Sequence, residues 1–288
     1  MFRRPGLILA TTILTTTLAL LIPPAHALDG PPDTAAAAPA KIVNVAHRGA
    51  SAHAPENTVA AFRLAGRQGA DMFETDVQET KDHRLVLVHD TTLGRTTDAE
   101  RVFPGRSPWR VRDLTLDEIR RLDAGAWFSA RYRGERVPTL GEALRAMEAS
   151  GLGLLLEVKA PGLYPGIEAR VERELRRHPA WLRPGRLVVQ SFDWGSMRRF
   201  HRLMPEVPVG LLGTPPAGRL AGLAAFARQI NPPYQDLTAG YVRRVHRLGM
   251  RVFTWTVDDP AVARRLAAYR VDGILTDKPA TLAGALPK

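Results

Sequence analysis

The chain has 288 residues, 45% of them hydrophobic, with 40 basic against 29 acidic side chains, a formal charge of +11 and no cysteine. Without cysteine there are no disulfides, no thiolate chemistry and no cysteine metal site, so a fold of this length rests on an ordinary apolar core. The basic side chains are 35 Arg and only 5 Lys; they are spread along helical stretches such as 170–177 rather than grouped with aromatics, which points to a solvated surface and to no nucleic-acid partner.

Residues 1–27 read as an export signal, with Arg3 and Arg4, an uncharged stretch over 7–22, Pro23-Pro24 and the small-x-small site Ala25-His26-Ala27. That stretch of 16 residues, five of them Thr, falls short of the roughly 20 that cross a bilayer, so a secreted or extracytoplasmic protein without a stable membrane anchor is expected. The arginine pair does not decide between the two export routes. Residues 28–40, rich in Ala, Pro and Asp without apolar periodicity, read as a disordered linker. One domain is then expected over 41–288, close to the roughly 250 residues of a single (β/α)₈ barrel.

Within it, β-rich runs at 42–46, 72–77, 154–158, 187–190, 207–211, 228–230, 251–257 and 273–276 alternate with helical patterns at 58–68, 140–149, 167–177, 194–203, 218–227, 239–248 and 260–269. Alternation of this kind is the signature of a parallel sheet with crossover helices. Thr58 and Thr139 are placed as N-caps. The run 84–89 is also strand-like, but only residues 80–83 separate it from the strand before it, whereas parallel neighbours need a crossover of a dozen or more. It is therefore predicted to be an antiparallel hairpin arm that returns His89 over the rim of the second strand. Residues 91–138 form an insertion with a short helix at 116–122, placed to shape substrate access.

Side chains alternate along a strand, so Glu74 and Asp76 point the same way, and Glu157 and Lys159 repeat the arrangement on the next strand. Leu154, Leu155, Leu156 and Val158 mark that strand as buried, where carboxylates meeting one another need positive charge. A hard divalent cation, Ca²⁺ or Mg²⁺, supplies it; an ion-pair network with Arg48 and Lys159 is the plainer alternative. Zn²⁺ suits the donor set less well. His47 and His89 read either as a general acid and base or as two satisfied core histidines, and the second reading is taken for His53, His83, His178, His201 and His246. Arg48 adds a permanently charged fork suited to a phosphate.

The motifs His47-Arg48-Gly49, Pro55-Glu56-Asn57-Thr58, Glu74-x-Asp76-Val77, Thr80-Lys81-Asp82, His89-Asp90, Glu157-Val158-Lys159 and Trp255-Thr256-Val257 follow in order, and Asp272 to Pro279 closes the series. In these the chain resembles the glycerophosphodiester phosphodiesterase family, from about Val43 to Pro279. The resemblance implies a distorted (β/α)₈ TIM barrel with a hairpin and an insertion after strand 2. It implies that Glu74, Asp76 and Glu157 hold Ca²⁺ or Mg²⁺, that His47 and His89 form the acid/base pair, that Arg48 and Lys159 contact phosphate, and that Trp255 packs near the glycerol. The reaction implied is hydrolysis of a small-molecule glycerophosphodiester to sn-glycerol 3-phosphate and an alcohol. Trp255 as a core aromatic and Asn57 as a helix-entry residue are the plainer readings of those two.

His83 stands where the family usually has Gly, so a left-handed turn residue is expected there. The rival functions are a lysophospholipase D or sphingomyelinase D-like enzyme on the same barrel, a glycosidase using Glu74 and Glu157, and a non-catalytic phosphate-binding protein. Oligomeric state is left open.

Overall fold

The computed structural model describes residues 41–286 and the isolated Phe2. The chain divides into two units, Met1–Ala38 and Pro39–Lys288; the expected signal at 1–27 and linker at 28–40 lie outside the described residues.

Eight parallel strands close into a barrel: β1 (Val43–Ala46), β2 (Met72–Glu79), β4 (Gly153–Val158), β5 (Leu187–Ser191), β6 (Val209–Leu212), β7 (Gln229–Asn231), β8 (Arg251–Thr254) and β9 (Gly273–Thr276). They pair in the order β1-β9-β8-β7-β6-β5-β4-β2, and β1 meets β2 to close the ring. Along the chain β3 (Leu85–Leu87) falls between β2 and β4, and it pairs antiparallel with β2, Val77 opposite Leu87 and Glu79 opposite Leu85. The short connection compels this hairpin, as expected.

Helices α1 (Val59–Arg67), α4 (Leu140–Met147), α5 (Ile167–Arg176), α6 (Trp194–Leu203), α7 (Leu220–Ala224), α8 (Ala239–His246) and α9 (Pro260–Ala268) follow their strands around the outside, and α10 (Pro279–Ala285) ends the series. Thr58 accepts from Ala61 N at the start of α1, and Thr139 forms a full capping box with Glu142 at the start of α4, each satisfying an otherwise orphaned donor. Apolar faces of these helices cover the barrel and bury Phe62, Phe73, Leu144, Trp181 and Phe200 completely or nearly so. The insertion holds α2 (Ala99–Val102) and α3 (Leu116–Ile119) and builds a small core of its own, with Val86, Leu93, Val111, Ile119 and Leu122 at its centre.

Several boundaries differ from expectation. The strand predicted at 207–211 starts only at Val209, because Pro208 has no amide to give to a ladder. The strand predicted at 251–257 ends at Thr254, after which Trp255 keeps a single bridge to Pro233. The helix predicted at 218–227 contracts to Leu220–Ala224, in keeping with the helix cost of Gly218 and Gly222. Neither α2 nor α10 was expected; Pro279 sits at the first turn of α10, a position that suits it.

The period of two inside the barrel positions the chemistry. Val45, Met72, Leu155, Val188, Phe253 and Leu275 face inward and form an apolar floor, while their neighbours Phe73, Leu154, Leu156, Val189, Val252 and Ile274 face the helices. Continuing the inward series by steps of two toward the C-terminal ends gives His47, Glu74, Asp76, Glu157, Lys159, Gln190, Trp255 and Asp277. The polar rim is a geometric consequence of the apolar floor.

Candidate active site

Glu74, Asp76 and Glu157 are buried and converge, each offering a carboxylate oxygen within 4.8 Å of the others. Asp76 and Glu157 are direct partners in the ladder between β2 and β4. Lys159 Nζ lies 2.7 Å from Glu157 Oε1 and 3.3 Å from Asp76 Oδ1, and Arg48 Nε lies 3.7 Å from Asp76 Oδ2. Glu74 has no ion pair among the described residues; its Oε2 accepts from the Arg48 backbone amide at 2.7 Å. Three buried carboxylates thus face two side-chain cations, one of which, Arg48, is also bound to Glu56 Oε1 at 3.0 Å.

The shortfall of positive charge shows in the carboxyls. Burial, then the charges of Asp76 and Glu157, push Glu74 well above the usual carboxylate range. Burial and Asp76 push Glu157 up to about 7. Burial acts the same way on Asp76, but Lys159, Arg48, His89 and a hydrogen bond from Asn57 outweigh it and hold that carboxyl below its ordinary value.

The loop after β1 is shaped for this contact. Arg48 has φ +55° and Gly49 φ +82°, and a Cβ at residue 49 would lie 2.7 Å from the Ala61 backbone of α1, so only glycine fits. Asn57, also left-handed at φ +58°, gives its Nδ2 to Asp76 Oδ2 at 2.9 Å while its Oδ1 accepts from Thr75 Oγ1 and the Asp76 amide. It therefore fixes a rim carboxylate besides preceding the helix.

The two histidines flank the cluster, each anchored at Nδ1: His47 to Asp277 Oδ1 at 2.7 Å and His89 to Asp90 Oδ1 at 2.7 Å. A carboxylate at Nδ1 holds the proton on that nitrogen, so Nε2 is the nitrogen left to take or give a proton. Burial, the largest influence, holds the His89 imidazole below its ordinary value despite the nearby Asp76 and Asp90 charges. Ser51 Oγ adds a second donor to Asp277 Oδ1 at 2.8 Å.

One residue of the insertion joins the two sides of the rim. Arg95 gives two hydrogen bonds of 2.8 Å to Glu56 and others of 2.6 and 3.2 Å to Asp90. It is thereby linked through Glu56 to Arg48 and through Asp90 to His89. The Arg95 hydrogen bond drives Asp90 down to about 2.

Above the carboxylates opens a cavity of about 170 Å³. His47, Arg48, Glu74, His89, Glu157 and Lys159 give it charge, and Phe192, Leu212, Trp255 and Leu275 give it an apolar wall. Trp255 gives its Nε1 to Asn231 O at 2.8 Å and meets the half-exposed Phe192 ring edge-on at 5.8 Å. A wider space of about 430 Å³ adjoins the first, sharing His89, Glu157, Lys159 and Phe192. A groove of about 730 Å³ lined by arginines lies apart from these residues, between β3, α4 and α5.

Every side chain singled out from the sequence is thus at the rim, with Asp76 just beneath the cavity. The other described histidines are elsewhere: His83 pairs with Glu79 and has the expected left-handed backbone at φ +60°, His246 binds Asp272, His178 lies beside Glu174, His53 meets Gln68, and His201 packs on Phe226. Sequence reasoning missed Glu56, Arg95, Gln190 and Phe192 as rim residues, and gave Asp277 and Asp90 no task. The inward alternation marks Gln190 and Asp277; no local pattern marks Arg95.

The model of the glycerophosphoryl diester phosphodiesterase family matches residues 47–281. YhdW of Bacillus subtilis is 38% identical over 240 residues, covering 82% of this chain and 94% of that protein. A glycerophosphodiester phosphodiesterase of Caldanaerobacter subterraneus subsp. tengcongensis is 36% identical over 252 residues, covering 86% and 99%. Among solved structures, a phosphodiesterase of Oleispira antarctica in complex with the product sn-glycerol-3-phosphate superposes with a TM-score of 0.76 at 32% identity, covering 85% of this chain and 96% of that one.

Proposed function

This chain belongs to the glycerophosphoryl diester phosphodiesterase family and is a glycerophosphodiester phosphodiesterase, and on that premise we propose that it hydrolyses its substrate to sn-glycerol 3-phosphate and an alcohol with a divalent cation and a histidine pair. The observation that carries the reading is the convergence of three buried carboxylates within 4.8 Å, short of positive charge, beneath a cavity that both His47 and His89 line.

The donor set fits the cation. Three oxygen ligands on two rigid strands suit Ca²⁺ or Mg²⁺, and Glu74, which has no ion pair among the described residues, gains most from either. A bound cation supplies positive charge to the phosphate oxygens as negative charge builds on them.

The chain's own residues do the rest. Arg48 and Lys159, which both line the cavity, hold the phosphate, and the Trp255 face packs against the carbons of the glycerol. The imidazoles are oriented by Asp277 and Asp90, so each presents Nε2. One takes the proton of the attacking oxygen and the other gives a proton to the leaving alcohol. The attacking oxygen is that of water or of the glycerol 2-hydroxyl. Residues 1–27 support an exported setting for the reaction.

Turnover separates this reading from a lysophospholipase D or sphingomyelinase D-like activity. Glycerophosphocholine, glycerophosphoethanolamine and lysophosphatidylcholine are assayed with Ca²⁺, with Mg²⁺ and with EDTA. The water-soluble glycerophosphodiesters are expected to be cleaved, with activity lost in EDTA and regained with metal. Preference for the lysolipid, or full activity in chelator, would reject the substrate or the metal respectively.

A further inference from the structure

Next to the carboxylates the barrel holds a band of buried carboxamides that the proton transfers leave unused: Gln190 on β5, and Gln229 and Asn231 on β7. Asn231 Nδ2 donates to Gln190 Oε1 at 2.7 Å and lies 3.5 Å from Gln229 Oε1. Strand β6 runs between β5 and β7, and the contact crosses it at Gly210. A Cβ at residue 210 would stand 2.7 Å from Asn231 Nδ2, so the missing side chain of Gly210 makes room for the reach.

This arrangement orients Gln190. Its oxygen is taken by Asn231, which leaves Nε2 as the outward atom. Nε2 makes no hydrogen bond among the described residues, yet it is not sealed in as the unpaired Asn231 Oδ1 is. Gln190 is only 1% exposed, and it lines the 170 Å³ cavity beside Glu157, its partner in the strand ladder. The accessible surface of this amide therefore opens on the cavity. Buried donors in proteins are almost always satisfied, and here none of the described residues supplies an acceptor.

We propose that Gln190 is a specificity residue whose Nε2 donates to a hydroxyl oxygen of the substrate's glycerol, with Asn231 as its positioning residue and Gly210 as the clearance that lets Asn231 work. The phosphate is already met by two cationic side chains, Arg48 and Lys159. A neutral amide beside the apolar Leu212, Leu275 and Trp255 suits a polyol instead, carbon against the wall and oxygen toward the amide. The proposal rests on the glycerophosphodiester reading above and adds the group by which the glycerol end is told from other phosphate esters.

The test compares metal-loaded wild type, Gln190→Leu and Gly210→Ala in two measurements: kcat/KM on glycerophosphocholine, and inhibition by sn-glycerol 3-phosphate against inhibition by inorganic phosphate. A buried hydroxyl left without its donor weakens binding on the order of 10- to 100-fold. Gln190→Leu is expected to lose that much in kcat/KM and in affinity for sn-glycerol 3-phosphate, with phosphate inhibition unchanged. Gly210→Ala, which keeps Gln190 but crowds Asn231, is expected to move the same ratio in the same direction by less. Equal losses for both inhibitors in both variants would reduce Gln190 to a structural role and overturn the proposal, as would wild-type discrimination in Gln190→Leu. Wild type that cleaves no glycerophosphodiester would instead overturn the substrate reading, and this proposal with it.

Discussion

Replacing Glu157 with Gln should stabilise the metal-free protein at pH 8 and change it little at pH 4.5. Glu157 is almost fully buried beside Asp76, and burial and that charge together raise it from an ordinary 4.5 to about 7, with Lys159 offsetting only part. A carboxyl raised in the folded state contributes its stability in full below the unfolded value, and that contribution is lost as pH rises through the folded one. At about 1.4 kcal/mol for each pH unit, the span from 4.5 to about 7 amounts to roughly 3 kcal/mol against the ionised form at pH 8.

Glutamine keeps the shape and an acceptor for Lys159 Nζ while removing the repulsion. For a domain of this size, with about 2–4 °C per kcal/mol, the Tm of Glu157→Gln in EDTA should exceed that of wild type by about 6–12 °C at pH 8 and by far less at pH 4.5. Added Ca²⁺ or Mg²⁺ should invert the order, because wild type gains the binding free energy and the variant has lost a ligand. Scanning calorimetry at the two pH values, with chelator and with metal, reads all four conditions. A variant less stable than wild type in EDTA at both pH values would refute the repulsion, and an equal gain with metal in both proteins would refute the ligand.

Two further outcomes follow from the same rim. His47→Ala and His89→Ala should each lower kcat by at least about 10²-fold with little change in Tm; near wild-type turnover in both would remove the pair from the mechanism. Arg95→Gln should lower kcat, chiefly through loss of the hydrogen bonds that hold Asp90 and Glu56. It should also release Asp90 upward from about 2 and, with the Arg95 charge gone, raise His89, so the limb of the pH–rate profile that His89 governs moves to higher pH. The stability that the depressed Asp90 contributes, present above its ordinary value near 3.8 and lost as pH falls toward 2, should shrink in the same variant. A profile unmoved by the substitution would leave Arg95 a purely structural strut.

Much of the rim was legible because strands carry it. Once Leu154, Leu156 and Val158 mark one face of β4 as packed against helices, Leu155, Glu157 and Lys159 must face the other way, and the same step of two sets Glu74 and Asp76 above Met72. His89 was legible for a different reason: a four-residue connection admits only a hairpin, and a hairpin arm returns the chain to the rim it left. Gln190 obeys the strand rule as well, two residues beyond the inward Val188, but an amide carries no charge whose burial needs explaining. Its role depends on Asn231 and on the gap at Gly210, contacts between strands that only the closed barrel creates.

What stayed hidden is carried by loops and by the insertion. Arg95 reaches Glu56 across 39 residues and Asp90 across 5, and neither spacing belongs to a helix or strand period that would place the three together. The insertion can position Arg95 only because Val86, Leu93, Val111, Ile119 and Leu122 give it a core separate from the barrel's. A sequence pattern can announce that core without saying how it is oriented on the rim. The division is physical: backbone periodicity fixes the carboxylates and Lys159, whereas the orientation of His89 depends on Asp90 and Arg95, and Arg95 is tied to Glu56 by a contact that only the folded chain makes. The carboxylate seat and the aim of at least one histidine should therefore be separable by mutation, with metal affinity lost at Glu157 and proton transfer impaired at Arg95.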